Sequence, residues 1–208
     1  MSRFRLLITG FEPFGSADRN PSQMLTELLP GEIHGFTLRS LTIPTVFGEA
    51  GEAVLRAAEE FSPDVILCLG LAAGRNAMTP ERIAVNIRDA RIPDNRGFRP
   101  TGQRIVPEGP AAYFSTLPVE AMAQAIRDVQ VPAAVSNSAG TYVCNDVLYT
   151  LLHRFAGTTT RVGFLHVPQL PEQGEPSLTL EQMRTGLIAA IGACRNGFDP
   201  ENKEDAYV

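Results

Sequence analysis

Apolar residues along the chain fall into short runs separated by longer stretches with helical spacing. Phe4–Thr9, Phe36–Ile43, Val65–Leu69, Ala133–Ser136 and Val162–Val167 read as strands, and Ile83–Ile87 as a strand that alternates apolar and polar positions. Several of these runs are continuously apolar, which predicts strands covered on both faces. Helical spacing lies between them. Asn20-Pro21 predicts an N-cap with proline at the first helical position, opening a short helix to about Leu29. Phe47–Phe61 carries Ala, Val and Leu on one face, and Pro118 opens a helix through Met122, Ile126 and Val129. Cys144–Phe155 repeats the pattern with Val147, Leu148, Leu151, Leu152 and Phe155, and Leu180–Cys194 is the last long helix.

Strands that alternate with helices predict βαβ units and a mostly parallel sheet in an α/β domain, here one domain over 1–195. Residues 72–117 break that rhythm. They are rich in Gly, Pro, Arg and Asp around a single alternating strand, which predicts an inserted hairpin with long ordered loops. Residues 196–208 hold little apolar content and several charges, the composition of a frayed tail.

Charge and composition narrow the function classes. The 208 residues carry a net charge of −5, so a nucleic-acid partner is not expected, because phosphate binding needs a basic surface. Arg91, Arg96, Arg99 and Arg104 share a stretch with Asp89 and Asp94, a mixed surface loop. No apolar run is long enough to span a membrane, and the N-terminus lacks a signal-peptide core and cleavage site, so a cytosolic protein without membrane association is expected. Three cysteines in such a chain predict no disulfide framework, and no Cys/His pair has zinc-ligand spacing, so no metal or other cofactor is expected.

Cys144 is the most informative residue. It follows the Ala133–Ser136 run and a polar loop, and it stands at the start of a helix. A thiol there faces unpaired backbone N–H groups and the positive end of the helix dipole, both of which favour the nucleophilic thiolate. His166 ends the last strand, where Pro168 stops the run, and Glu81 follows the Val65–Leu69 strand after the 70–75 loop. In an open parallel sheet ligand sites form at the carboxyl ends of strands. Cys144, His166 and Glu81 can therefore meet on one rim as nucleophile, base and orienter. Each also has a plainer role open to it in isolation: a half-buried structural thiol, a satisfied histidine, an exposed loop carboxylate. Cys68, inside a strand, and Cys194, on a helix face, read as core thiols.

Five segments occur together and in order: Gly10-Phe11-Glu12-Pro13-Phe14-Gly15, Glu81-Arg82-Ile83-Ala84-Val85-Asn86, Asp89-Ala90-Arg91-Ile92-Pro93-Asp94-Asn95, Ser136-Asn137-Ser138-Ala139-Gly140-Thr141-Tyr142-Val143-Cys144-Asn145 and His166-Val167-Pro168. With them the chain closely resembles the pyroglutamyl peptidase I (pyrrolidone-carboxylate peptidase) family over roughly residues 4–190. The resemblance implies a cysteine peptidase that removes an N-terminal pyroglutamyl residue from peptides. It also implies a single-domain α/β/α sandwich, a cytosolic location, no metal, and a homotetramer or homodimer. It implies Cys144 as nucleophile, His166 as general base and acid, Glu81 as the third triad member, and Arg91 near the reacting carbonyl. Phe11 and Phe14 match apolar walls of the pyroglutamyl pocket, and Asn20, Leu71, Tyr142 and Val143 match further pocket positions.

The chain departs from the family pattern in three places. Tyr142 stands where many members have Phe, Leu71 where some have Gln, and Asp146 where His or another residue is common. A carboxylate at Asp146 either opposes thiolate formation at Cys144 or caps the helix, and the cap is the expected role. Two other readings compete: a nucleoside-binding hydrolase or phosphorylase that uses Arg91 and the 70–75 loop on phosphate or ribose, and a non-catalytic lactam-binding or oligomeric interaction protein.

Overall fold

The opening apolar run forms the centre of the sheet. In the computed structural model, which describes residues 4–15 and 17–196, β1 (Phe4–Phe11) pairs in parallel with β3 (Phe36–Ile43) on one side and β4 (Val65–Leu71) on the other. β4 pairs in parallel with β8 (Arg161–Val167). The edges run antiparallel: β2 (Glu32–Ile33) against β3, and β5 (Thr79–Pro80) against β8. The order is β2-β3-β1-β4-β8-β5, and β6 (Ile83–Val85) and β7 (Ala112–Phe114) form a separate antiparallel hairpin. The helices are α1 (Pro21–Glu27), α2 (Glu49–Phe61), α3 (Val119–Asp128), α4 (Val143–Arg154) and α5 (Leu180–Asn196).

The two-residue side-chain period of a strand sorts these positions into two cores. Leu6 and Ile8 of β1, Val65, Leu67 and Leu69 of β4, and Leu165 and Val167 of β8 pack against α1, α3 and α5. Leu7 and Phe11, Ile66 and Cys68, and Val162 and Phe164 face the opposite layer, α2 and α4. By the same alternation Thr9, Gly70 and His166 belong to the α2/α4 face. The result is the expected α/β/α sandwich with a mostly parallel sheet, and the hairpin inserted between β5 and α3 matches the departure in rhythm across 72–117.

The predicted strand at Ala133–Ser136 is not continuous. It runs parallel to the 78–82 segment, with bonds from Met78 N to Pro132 O (2.9 Å), from Ala134 N to Met78 O (3.2 Å), from Ser136 N to Pro80 O (2.9 Å) and from Arg82 N to Ser136 O (2.8 Å). The rung that Pro80 would donate is missing because proline has no N–H, and only isolated bridges at Ala133 and Ser136 remain. The alternating run at 83–87 also ends early, at Val85. There the Asn145 carboxamide takes over the ladder: it accepts from Val85 N at 2.9 Å and donates to Val85 O at 2.9 Å and Ile87 O at 3.1 Å. The tail expected to fray falls, beyond Asn196, outside the described residues.

Candidate active site

Glu81 follows β5 directly and lies alongside His166. Thr79 is the register partner of His166, and the Glu81 N–H bonds Phe164 O at 2.9 Å, so Glu81 sits two residues further on and on the same face. His166 Nδ1 and Glu81 Oε1 are 2.7 Å apart, and both side chains are buried. The same Oε1 accepts from Arg75 Nη1 at 2.7 Å. Arg75 Nη1 also bonds the Thr79 hydroxyl, and Nη2 donates to Ser138 O at 3.2 Å. Burial acts most strongly against the Glu81 charge. The bond and charge of His166, with the nearby Ser136 hydroxyl and the Arg75 bond, outweigh it and hold the carboxyl below its usual range. Burial, aided by the Arg75 charge, pulls His166 below its usual value against the pull of Glu81. The resting pair is therefore carboxylate and neutral imidazole, with Nδ1–H pointing at Glu81 and Nε2 left as the basic nitrogen.

Cys144 reaches this pair from the opposite layer. It lies in the first turn of α4, and its Sγ is 3.0 Å from the point where a Cβ on residue 70 would stand. Gly70 is the β4 register partner of His166. A side chain at position 70 would also meet Phe164 Cζ at 2.7 Å, so glycine here is what lets the thiol descend onto the sheet beside the imidazole. No hydrogen bond joins Sγ to His166 among the described residues. The stabilisation expected from the helix N-terminus is opposed here. Burial, with the nearby Glu81 and Cys68, pushes the Cys144 thiol up to about 12, against the weaker help of Arg75 and its own backbone N–H. The helix N-terminus is present, but desolvation wins.

Asp146 differs from expectation. It does not cap α4, whose N-cap Tyr142 has no side-chain cap bond. Its carboxylate reaches across to α2, accepting from Gly48 N at 2.7 Å through Oδ2 and from Arg88 Nε at 2.5 Å through Oδ1. Gly48 is the N-cap of α2, so Asp146 caps the neighbouring helix, and Arg88 balances its charge. Asp146 is not among the groups that raise the Cys144 thiol.

The other candidate residues surround Cys144 unevenly. Phe11 is 2% exposed and its ring lies 6.4 Å from that of Phe164, which lies 4.7 Å from the His166 ring. Phe14 is half-buried beside Tyr142 (6.4 Å), and Tyr142 in turn meets Phe47 edge-on at 5.3 Å. The Tyr142 hydroxyl is committed to Pro93 O at 2.9 Å, so the extra oxygen ties down a loop. Val143 is buried at the first position of α4, and Leu71 is half-buried at the end of β4. Asn20 is buried and internally engaged: Oδ1 caps α1 through Ser22 N (3.0 Å) and Ser22 Oγ (2.8 Å), and Nδ2 holds Glu12 O at 3.1 Å. It anchors the 12–14 loop rather than presenting a free carboxamide. Arg91 is exposed in a segment pinned to the α4 entry by Asp89 N to Thr141 O (3.0 Å) and the Tyr142 bond, and it has no ion pair among the described residues. No cluster of metal-ligating side chains occurs among the described residues, and none of their helices is long and apolar enough to cross a membrane.

A sequence profile described as pyroglutamyl peptidase matches residues 4–196. The chain belongs to the pyroglutamyl peptidase family. A pyrrolidone-carboxylate peptidase of Levilactobacillus brevis is 52% identical over 91% of this chain and 96% of its own length. That of Bacillus licheniformis is 47% identical over 90% and 91%. Among solved structures, pyroglutamyl peptidase I of Bacillus amyloliquefaciens superposes with a TM-score of 0.90 at 38% identity, covering 93% of this chain and 98% of that one. A mutant pyrrolidone carboxyl peptidase of the hyperthermophile Pyrococcus furiosus gives 0.90 at 40% identity, covering 94% and 100%.

Within this pyroglutamyl peptidase fold two partners escape a reading of the sequence. Arg75 reads there only as part of a Gly-flanked loop, although an arginine six residues before a candidate acid, beyond a turn, is able to fold back on it. Gly70 carries no signal, because the need for a bare backbone arises only when α4 is laid over β4.

Proposed function

We propose that this chain hydrolyses the amide bond that follows an N-terminal pyroglutamyl residue, through a thioester on Cys144. The observation that carries the reading is the alignment of buried Glu81, His166 and the Gly70 gap that admits the Cys144 thiol. His166 Nε2 takes the thiol proton as sulfur attacks the carbonyl, a concerted transfer open to a neutral imidazole and needed because burial holds the thiol protonated until substrate arrives. Glu81 fixes the tautomer and stabilises the imidazolium as it forms. The Cys144 backbone N–H and Arg91 stabilise the oxyanion, each donor being worth about 3–4 kcal/mol in comparable sites. His166 then gives its proton to the leaving amine, and water resolves the thioester.

Pyroglutamate is a flat lactam with one N–H, one ring carbonyl and no free α-amine. A site for it needs apolar walls and one donor and one acceptor, not a carboxylate. Phe14 and Tyr142 supply an accessible wall, Phe11 backs Phe164 beneath the site, Val143 supports the α4 entry, and the backbone beside Leu71 supplies polar contacts. On the same resemblance the enzyme works in the cytosol, where its three free cysteines stay reduced, as a homotetramer or homodimer. The test is release of the fluorescent amine from pyroglutamyl-7-amido-4-methylcoumarin under reducing conditions. Wild type should turn it over and Cys144→Ala should not. A folded, reduced wild type without turnover moves the lactam-binding reading to first place.

A further inference from the structure

We propose that Arg75 is a positioning residue of the triad, one that locks the Glu81 carboxylate against His166. The inference rests on the Cys144–His166–Glu81 reading above and adds a residue to it.

One guanidinium holds three parts of the site. It donates to Glu81 Oε1, to the Thr79 hydroxyl on the strand that pairs with His166, and to Ser138 O in the loop that leads to Cys144. The acid, the strand that aligns the base and the segment that delivers the nucleophile are thus referenced to one rigid planar fork, a task a flexible ammonium performs poorly. Glu81 needs such a partner. It is fully buried, its Oε2 has no hydrogen-bond partner, and Oε1 alone takes both His166 and Arg75. Without a second positive group, a buried carboxylate beside a neutral imidazole would tend to bind a proton and lose its grip on Nδ1–H.

The charges that face His166 can be named element by element. The continuation of β5 gives Glu81 and the 70–75 loop gives Arg75; Cys144 of α4 feels the same two groups, together with Cys68 of β4. Arg82, next in sequence to Glu81, turns away to Asn137 (2.8 Å) and Glu120 (2.5 Å). Arg75 acts on this group in a single direction: it keeps Glu81 ionised, disfavours imidazolium at His166 and favours thiolate at Cys144. Its removal moves proton uptake by the coupled Glu81–His166 pair to higher pH.

The test compares R75Q, which keeps a donor and loses the charge, with R75K, which keeps the charge and loses the fork. Wild type and Cys144→Ala are assayed first on the pyroglutamyl coumarin amide. Turnover lost only in Cys144→Ala establishes the parent reading independently of Arg75. R75Q should then lower kcat about ten- to a hundredfold, the worth of a charge-assisted hydrogen bond, with KM within about twofold. Its acid limb of kcat/KM should move to higher pH. R75K should return the limb toward wild type and recover part of kcat. NMR titration of the His166 ring should follow the same order. If R75Q does not fold, R75M, which keeps the aliphatic stem, replaces it under the same criteria. An R75Q enzyme with wild-type kcat and acid limb overturns the proposal. So does equal loss in R75Q and R75K with an unmoved limb, the mark of a scaffold residue.

Discussion

Asp146 decides whether the carboxylate next to the Cys144-Asn145 pair belongs to the chemistry or to the framework. The structure assigns it to the framework: it is fully buried, bonds the α2 N-cap at Gly48, and pairs with Arg88. Asp146→Ala removes one partner of a buried ion pair, which costs about 3–5 kcal/mol where the remaining charge is trapped. Arg88 is 22% exposed and can turn toward water, so the lower end applies. Losing the acceptor for the Gly48 N–H adds about 1 kcal/mol. The expected sum is about 3–4 kcal/mol, or a fall in Tm of about 10 °C for a chain of this size. Asp146→Asn keeps the volume and an acceptor and should cost about half as much. Urea unfolding and thermal scans read the stability, and kcat/KM against pH reads the site. The acid limb should stay in place in both variants, because Asp146 is not among the groups that shift His166 or Cys144. A Tm change below about 2 °C together with a moved limb, or faster alkylation of Cys144, would refute the framework assignment.

Glu81→Gln should fold but lower kcat about a hundred- to ten-thousandfold, because an amide cannot stabilise the imidazolium; full activity would remove Glu81 from the triad. Gly70→Ala places a Cβ 2.7 Å from Phe164 Cζ and 3.0 Å from Cys144 Sγ. It should cost about 1–3 kcal/mol of stability by overpacking and most of the activity, and an active, equally stable variant would contradict the close approach of thiol and sheet. Stability should fall on both sides of neutrality. His166 and Glu81 are lowered in the fold, so the unfolded chain binds their protons first, and stability is lost as pH drops below about 6.5 and again below about 4.5. Cys68, Cys144 and Cys194 are pushed up to about 12, so the unfolded chain ionises first and stability is lost as pH rises above about 9. Urea midpoints across pH read both arms, and a flat acid arm would contradict the buried pair.

Local pattern was enough for the parallel core. β1, β3, β4 and β8 are apolar runs flanked by turns, and α2 and α5 show clean helical spacing. The same alternation that placed His166 at a strand end also fixes which face it points to. The 133–136 segment was harder. Its residues look like a strand, yet its continuity depends on Pro80, some fifty positions away, which lacks the N–H for the missing rung. Asp146 misled because its position in the first turn of α4 points to a local cap, whereas its partners Gly48 and Arg88 come from α2 and the inserted loops. The thiol's surroundings were illegible for a related reason. A helix start is visible in sequence, but the burial that opposes its effect arises only when α4 is laid over β4 beside Gly70. Asn20 shows the converse: the motif Asn-Pro announced a cap, and the cap left no free carboxamide for a ligand.

The central claim is that Cys144 carries the pyroglutamyl group as a thioester during turnover. The most direct test is an acid quench during turnover of an activated pyroglutamyl ester, followed by peptide mapping by mass spectrometry. The account predicts a pyroglutamyl adduct on the peptide containing Cys144, formed and consumed at rates that match turnover and absent in Cys144→Ala. Turnover with no adduct, or an adduct on Cys68 or Cys194 instead, would contradict it.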